Sequence, residues 1–114
     1  LPAIDRLEQF FTMYGRLILS EFGVCLALVS DRSLNAQSRR KLRSLKKQFE
    51  ITVRKILEEG SKDGTICVDD PKMFIFAIFG AFNWAPQWFS NTGASTPDEV
   101  TAAMFHVFRS AAAR

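Results

Sequence analysis

The sequence predicts an all-α protein, a bundle of four to six helices forming one domain over residues 1–114. Three observations carry this reading. Apolar residues recur every third or fourth position in several separate stretches. Two helix starts are spelled out, at Asp70-Pro71 and at Thr96-Pro97-Asp98-Glu99. The one β-prone piece, Thr65-Ile66-Cys67-Val68, has no second strand to pair with. Eleven Phe and two Trp among 114 residues supply enough rigid apolar surface for a core at this length.

The first helix follows from Ile4, Leu7, Phe11, Tyr14, Ile18, Phe22 and Cys25, which share one face at helical spacing. Pro2 suits its first turn. Gly23 is expected to bend or split it, with a shorter apolar piece continuing to Val29. Residues 30–38 are polar and rich in capping residues, so they read as a loop or a single turn. From about Ala36 the pattern returns, with Leu42, Leu45, Phe49, Val53, Ile56 and Leu57 as the stripe. Gly60 or Gly64 is the expected left-handed cap. Residues 61–69 then read as an extended connector.

Asp70 as N-cap and Pro71 at the first helical position open the next helix. It is apolar nearly all round from Met73 to Phe89, so it must be covered on every side. Pro86 is expected to kink it. A turn at residues 91–95 leads to the capping box of Thr96 and Glu99. The last helix puts Val100, Ala103, Met104, Val107, Phe108 and Ala111 on one side.

Several function classes are excluded by composition and spacing. Apolar residues at 47% and charged residues at 24% are ordinary for a globular domain. Cys25 and Cys67 form no CxxC pair and are joined by a single histidine, so neither a zinc module nor a disulfide scaffold fits. The two thiols read as buried and reduced, in a cytoplasmic protein. The longest apolar run, residues 73–82, is too short for a bilayer span, and no signal peptide is visible. The chain is expected to have no membrane contact. It begins at Leu1 rather than Met, which reads as a fragment of a longer protein.

Little in the chain looks catalytic. His106 is the lone histidine and reads as a surface or interface residue. Asp70 is explained by capping, and adjacency to Asp69 does not make an acid–base pair. No nucleophile elbow, phosphate-cradling glycine loop or metal-ligand spacing occurs. The expectation is a protein that is not an enzyme, with no catalytic residue, no metal and no cofactor.

Charge is more informative. Residues 32–55 hold nine basic residues and one acid, Glu50, giving +8 against −5 for the remainder and +3 overall. Such a run suits either a solvated helix face or contact with phosphates of a nucleic acid or a nucleotide-bearing ligand. The helix after Pro71 and the last helix together bring more apolar surface than one small domain covers, which points to self-association. Asn83, Trp84, Gln87 and Trp88 add polar groups to an aromatic wall, the make-up of a pocket for a mostly apolar ligand; they also suit a plain core.

The order of these features resembles a known family. A basic helix ends in Ile56-Leu57-Glu58-Glu59-Gly60, and Asp63-Gly64-Thr65-Ile66 and Asp69-Asp70-Pro71-Lys72 follow. Then come Phe79-Gly80-Ala81-Phe82-Asn83-Trp84, Gln87-Trp88-Phe89, Gly93 and Thr96-Pro97-Asp98-Glu99-Val100. From about Ser38 to Phe108 this resembles the C-terminal ligand-binding and dimerisation domain of TetR-family transcriptional regulators. It is most similar to the branch controlling fatty-acid and sterol breakdown in bacteria, whose inducers are often acyl-CoA thioesters.

The resemblance implies a homodimer whose last two helices form a four-helix bundle with the partner's, here through Phe76, Gly80, Met104, Phe105 and Phe108. It implies a hydrophobic small-molecule effector held by Phe11, Tyr14, Ile18, Phe49, Val53, Asn83, Trp84 and Gln87. For an acyl-CoA, Arg40, Arg43 and Lys47 are the expected phosphate contacts. Operator DNA would be read, in a repressor, by an N-terminal helix-turn-helix that this chain does not supply. Two other readings stay open: a stand-alone helical protein-interaction module with no ligand, and direct nucleic-acid binding by the basic helix.

Overall fold

Helix α1 (Ala3–Ile18) is the centre of the molecule, and the other three helices pack on it: α2 (Ala36–Asp63), α3 (Pro71–Trp88) and α4 (Pro97–Ala112). The structure is a computed structural model, and it describes residues 1–20, 23, 35–89 and 93–114. Phe22, Cys25 and the apolar piece expected up to Val29 lie outside those residues. The all-α expectation holds, with four helices among the described residues.

Local chemistry sets each boundary. Asn35 caps α2, its side chain accepting from Ser38 N at 2.8 Å. Gly64 ends α2 at φ +80°, the left-handed conformation glycine adopts without penalty, while Gly60 stays inside the helix. Asp70 accepts from Met73 N at 3.1 Å, and the Thr96–Glu99 capping box forms in both directions at 3.2 Å. The first-turn amides of α1 are satisfied by residues sixty positions away. Asp63 accepts from Ala3 N at 2.8 Å and the Thr65 hydroxyl accepts from Ile4 N at 3.2 Å.

The core is aromatic and centred on Phe11. Its ring lies 4.9 Å from Phe82, 5.3 Å from Phe79 and 6.0 Å from Phe105. Leu7, Val53 and Ile78 close around it, each fully buried. Gly15 lets α4 approach α1: a Cβ there would sit 2.3 Å from the Thr101 hydroxyl. Charged pairs rim the same crossing, Arg16 with Asp98 at 2.9 Å and Arg109 with Asp5 at 3.2 Å. Arg6 pairs with Glu59 between α1 and α2.

Several expectations are corrected. The connector does find a partner: Ile66 makes an antiparallel bridge to Ala113, with Cys67 N donating to Ala112 O at 2.8 Å. The residues just past α4 turn extended and supply that partner from the other end of the chain. Cys67 is exposed rather than buried, because the bridge points it outward. On α4 the buried line runs through Thr101, Phe105 and Ala112, while Ala103, Val107 and Ala111 face solvent. The small Thr101 fits against Gly15, and that contact sets the rotation of the helix. On α2, Leu45 is exposed, because the first turns of this helix reach beyond the bundle.

Candidate functional site

Three helices converge on a polar-centred aromatic box. Tyr14 of α1 donates its hydroxyl to Asn83 Oδ1 of α3 at 2.5 Å. Phe49 of α2 lies edge-on to Tyr14 at 5.4 Å, and Phe79 of α3 lies edge-on at 5.3 Å. Phe10 stacks on Tyr14 at 6.1 Å and meets Phe49 at 5.8 Å. Edge-to-face pairs at these separations are the favoured aromatic geometry.

The helical period explains the convergence. Phe10 and Tyr14 are one turn apart on α1, and so are Phe79 and Asn83 on α3. Between the three helices lies a cleft of about 40 Å³, lined by Tyr14, Lys46, Phe49, Glu50, Phe79 and Asn83. That volume holds about one or two waters. Burial pushes the Tyr14 hydroxyl up to about 12, partly offset by the Asn83 hydrogen bond. At neutral pH it is therefore a neutral donor, aimed at an amide in an apolar surround.

The structure brings together three of the eight residues expected to hold a ligand: Tyr14, Phe49 and Asn83. Phe11 and Val53 are core residues with no exposure, and Ile18 is half-buried against the same core. Gln87 is exposed one turn beyond Asn83. Trp84 is 65% exposed on the outer face of α3 and does not line the cleft. One residue of offset moves a helical side chain by about 100°, enough to separate Trp84 from Asn83.

The basic residue at the cleft is Lys46, not Arg40, Arg43 or Lys47. Those three are exposed, roughly a quarter-turn round α2 from Lys46. Phe10, Lys46, Glu50 and Phe79 were missing from the expected set. The i±3 and i±4 neighbours of Tyr14, Phe49 and Asn83 would have found Phe10, Lys46 and Phe79, but not Glu50, which directly follows Phe49.

Of the residues expected at a dimer interface, Phe76 and Gly80 are exposed on α3, and Met104 and Phe108 are half-buried on α4. Phe105 is 2% exposed and packs on Phe11, so it belongs to the protomer's own core. The exposed large apolar residue of α4 is Val107. A Cβ built at Gly80 meets nothing within 4 Å.

A roomier cleft of about 280 Å³ opens at the other end of α2, between Arg54, Leu57, Glu58, Ile66, Val68 and Arg114. It has more space but no hydroxyl–amide pair set among aromatic rings. The smaller cleft has the more specific chemistry for an apolar ligand with one polar group. Among the described residues there is no cluster of three metal-ligating side chains, and no helix is long and apolar enough to cross a membrane.

Comparison with known proteins agrees with this architecture. A solved transcriptional regulator of the TetR/AcrR family from Thermobifida fusca superposes with a TM-score of 0.79 at 19% identity. The match covers 96% of this chain and 58% of that regulator, so the chain spans under two thirds of its length. No curated protein matches the sequence. The family model for the tetracyclin repressor-like C-terminal domain matches residues 1–112, nearly the whole chain, and the chain belongs to that family.

Proposed function

We propose that the chain is the effector-sensing and dimerising part of a bacterial, cytoplasmic transcriptional regulator, a repressor whose effector is a hydrophobic small molecule carrying one polar head. The observation that carries this is the Tyr14–Asn83 hydrogen bond inside a box of Phe10, Phe49 and Phe79. A polar pair of this kind, placed where three helices meet, fixes the orientation of an otherwise apolar ligand. The cleft as described is the closed form. An effector parts α1 from α3, replaces Asn83 as the acceptor for Tyr14, and takes its apolar body between Phe49 and Phe79.

An acyl-CoA suits this site, with the acyl chain inside and Lys46 at the rim for the charged portion. Operator recognition is assigned to a helix-turn-helix outside this chain. Dimerisation is assigned to the outer faces of α3 and α4, where Met73, Phe76, Gly80, Trp84 and Val107 are exposed. A twofold contact buries such a patch against itself.

Calorimetric titration with acyl-CoAs of rising chain length tests the effector reading. Each added methylene contributes about 0.8 kcal/mol at most, so affinity should rise up to fourfold per carbon until the site is full. Asn83→Leu should leave the length dependence but change the preferred head group. Absence of heat at every length, with free fatty acids and sterols equally inert, would overturn the reading.

A further inference from the structure

The cleft leaves the charge of α2 unexplained. At 100° per residue, Arg40, Arg43, Lys47 and Arg54 fall within an arc of about 60°, roughly 120° round the helix from the buried line of Val53, Ile56 and Gly60. The row is about 21 Å long at 1.5 Å per residue. All four residues are exposed. Among the described residues none of the four has an ion-pair partner, whereas Arg6, Arg16 and Arg109 all do.

Local rules run against this arrangement. Arg43 stands one turn from both Arg39 and Lys47, and like charges at that spacing repel. The first turns of α2 hold no acid, although positive charge there opposes the helix dipole. Glu50 and Glu58 stand one turn either side of Arg54, but residues 39–43 break both rules with no acid within a turn on the helix, which marks that end of the row for an external anion. The face is poor in apolar groups, with Ile51 its one large exposed hydrophobic residue. A helix lying in a membrane surface would need a broad apolar face. Along one strand of a duplex, phosphates recur every 3.4 Å of axis, so a row of this length spans about six base pairs.

We infer that this outer face of α2 is a sequence-independent contact for the phosphate backbone of duplex DNA, separate from the effector cleft and from operator reading. It supplies affinity and a salt-dependent on-rate without base specificity. The inference does not depend on the identity of the effector.

The test is fluorescence anisotropy of the full chain with a labelled duplex of arbitrary sequence across a salt series. The expected Kd is about 1–100 μM, weakening steeply with salt, since log K falls by about 0.9 per phosphate contact per decade of salt. The triple variant Arg40→Gln, Arg43→Gln and Lys47→Gln should lower that slope by about 2.7, and Arg43→Gln alone by about 0.9. Gln keeps the helix propensity at these exposed positions, and unchanged far-ultraviolet circular dichroism verifies it. Lys62→Gln, on the last turn of α2, should leave the slope unchanged. No binding at 20–50 mM salt (about the range where such contacts are strongest) overturns the inference. So does an unaltered slope in the triple variant, or an equal loss in Lys62→Gln. Binding to phosphatidylserine vesicles without binding to the duplex reassigns the face to lipid and equally overturns it.

Discussion

At the scale of single residues, Tyr14 is the informative one, because it is the sole tyrosine of the chain. Its hydroxyl is raised to about 12 by burial against an ordinary value near 10. A raised acid stabilises the fold fully below the unfolded value and loses that contribution as pH climbs through the folded value. Stability should therefore fall between about pH 10 and 12, and absorbance at the phenolate band should lag behind that of the unfolded chain. An ordinary titration near 10 with the fold intact would remove Tyr14 from the buried hydrogen bond. Asp63 works in the opposite direction. The Thr65 hydroxyl, then the Ala3 and Thr65 amides, hold its carboxyl below the ordinary range. Its contribution is present at neutral pH and is lost as the solution is acidified through the lowered value, and Asp63→Ala should flatten the acid limb of a stability–pH curve. Thr101 makes a third case: its hydroxyl is buried against Gly15 without a partner among the described residues. Thr101→Val should stabilise by up to about 1–3 kcal/mol, and Gly15→Ala should destabilise by about 1–3 kcal/mol, both read by urea unfolding.

At the scale of elements, the helices were legible because caps and spacing act locally. Asp70-Pro71, Thr96 with Glu99 and the Gly64 stop are each decided within a few residues. Which face of a helix turns inward was legible only where apolar residues form one stripe, as Leu7, Phe11 and Tyr14 do on α1. On α4 two apolar arcs lie side by side, and the choice between them rests on Gly15 of another helix, a tertiary contact that spacing does not encode. The pairing of Ile66 with Ala113 was hidden for the same reason, forty-seven positions separating the partners. These assignments make opposite forecasts for neighbouring residues. Phe105→Ala removes a core ring and should cost about 3–5 kcal/mol. Val107→Ala, on the exposed side, should change protomer stability by less than about 0.5 kcal/mol. Equal costs would mean that α4 is rotated from the described position.

At the scale of the whole molecule, the candidate site was half legible. Tyr14 and Phe49 were readable from their apolar stripes, and Asn83 as a polar group in an otherwise apolar helix. Trp84 was misplaced because an aromatic residue beside Asn83 looks like the same wall until the 100° step is applied to both. Its outward position, with Trp88 53% exposed, makes the two tryptophans reporters of the proposed assembly rather than of the proposed ligand. Their emission should shift to the blue as concentration rises through the dimer constant, and Phe76→Asp should abolish the shift by burying an unpaired charge in the contact. Sedimentation of a monomer at micromolar concentration would remove the proposed dimer.

The measurement that bears most directly on the effector account is native mass spectrometry of the chain titrated with a long-chain acyl-CoA. The account predicts a dimer that takes up two ligand molecules, and loss of that added mass in Phe49→Asp, which puts a charge among Phe10, Tyr14 and Phe79. A chain that stays free of added mass at every ligand concentration, or a Phe49→Asp variant that binds as well as the parent, would contradict it.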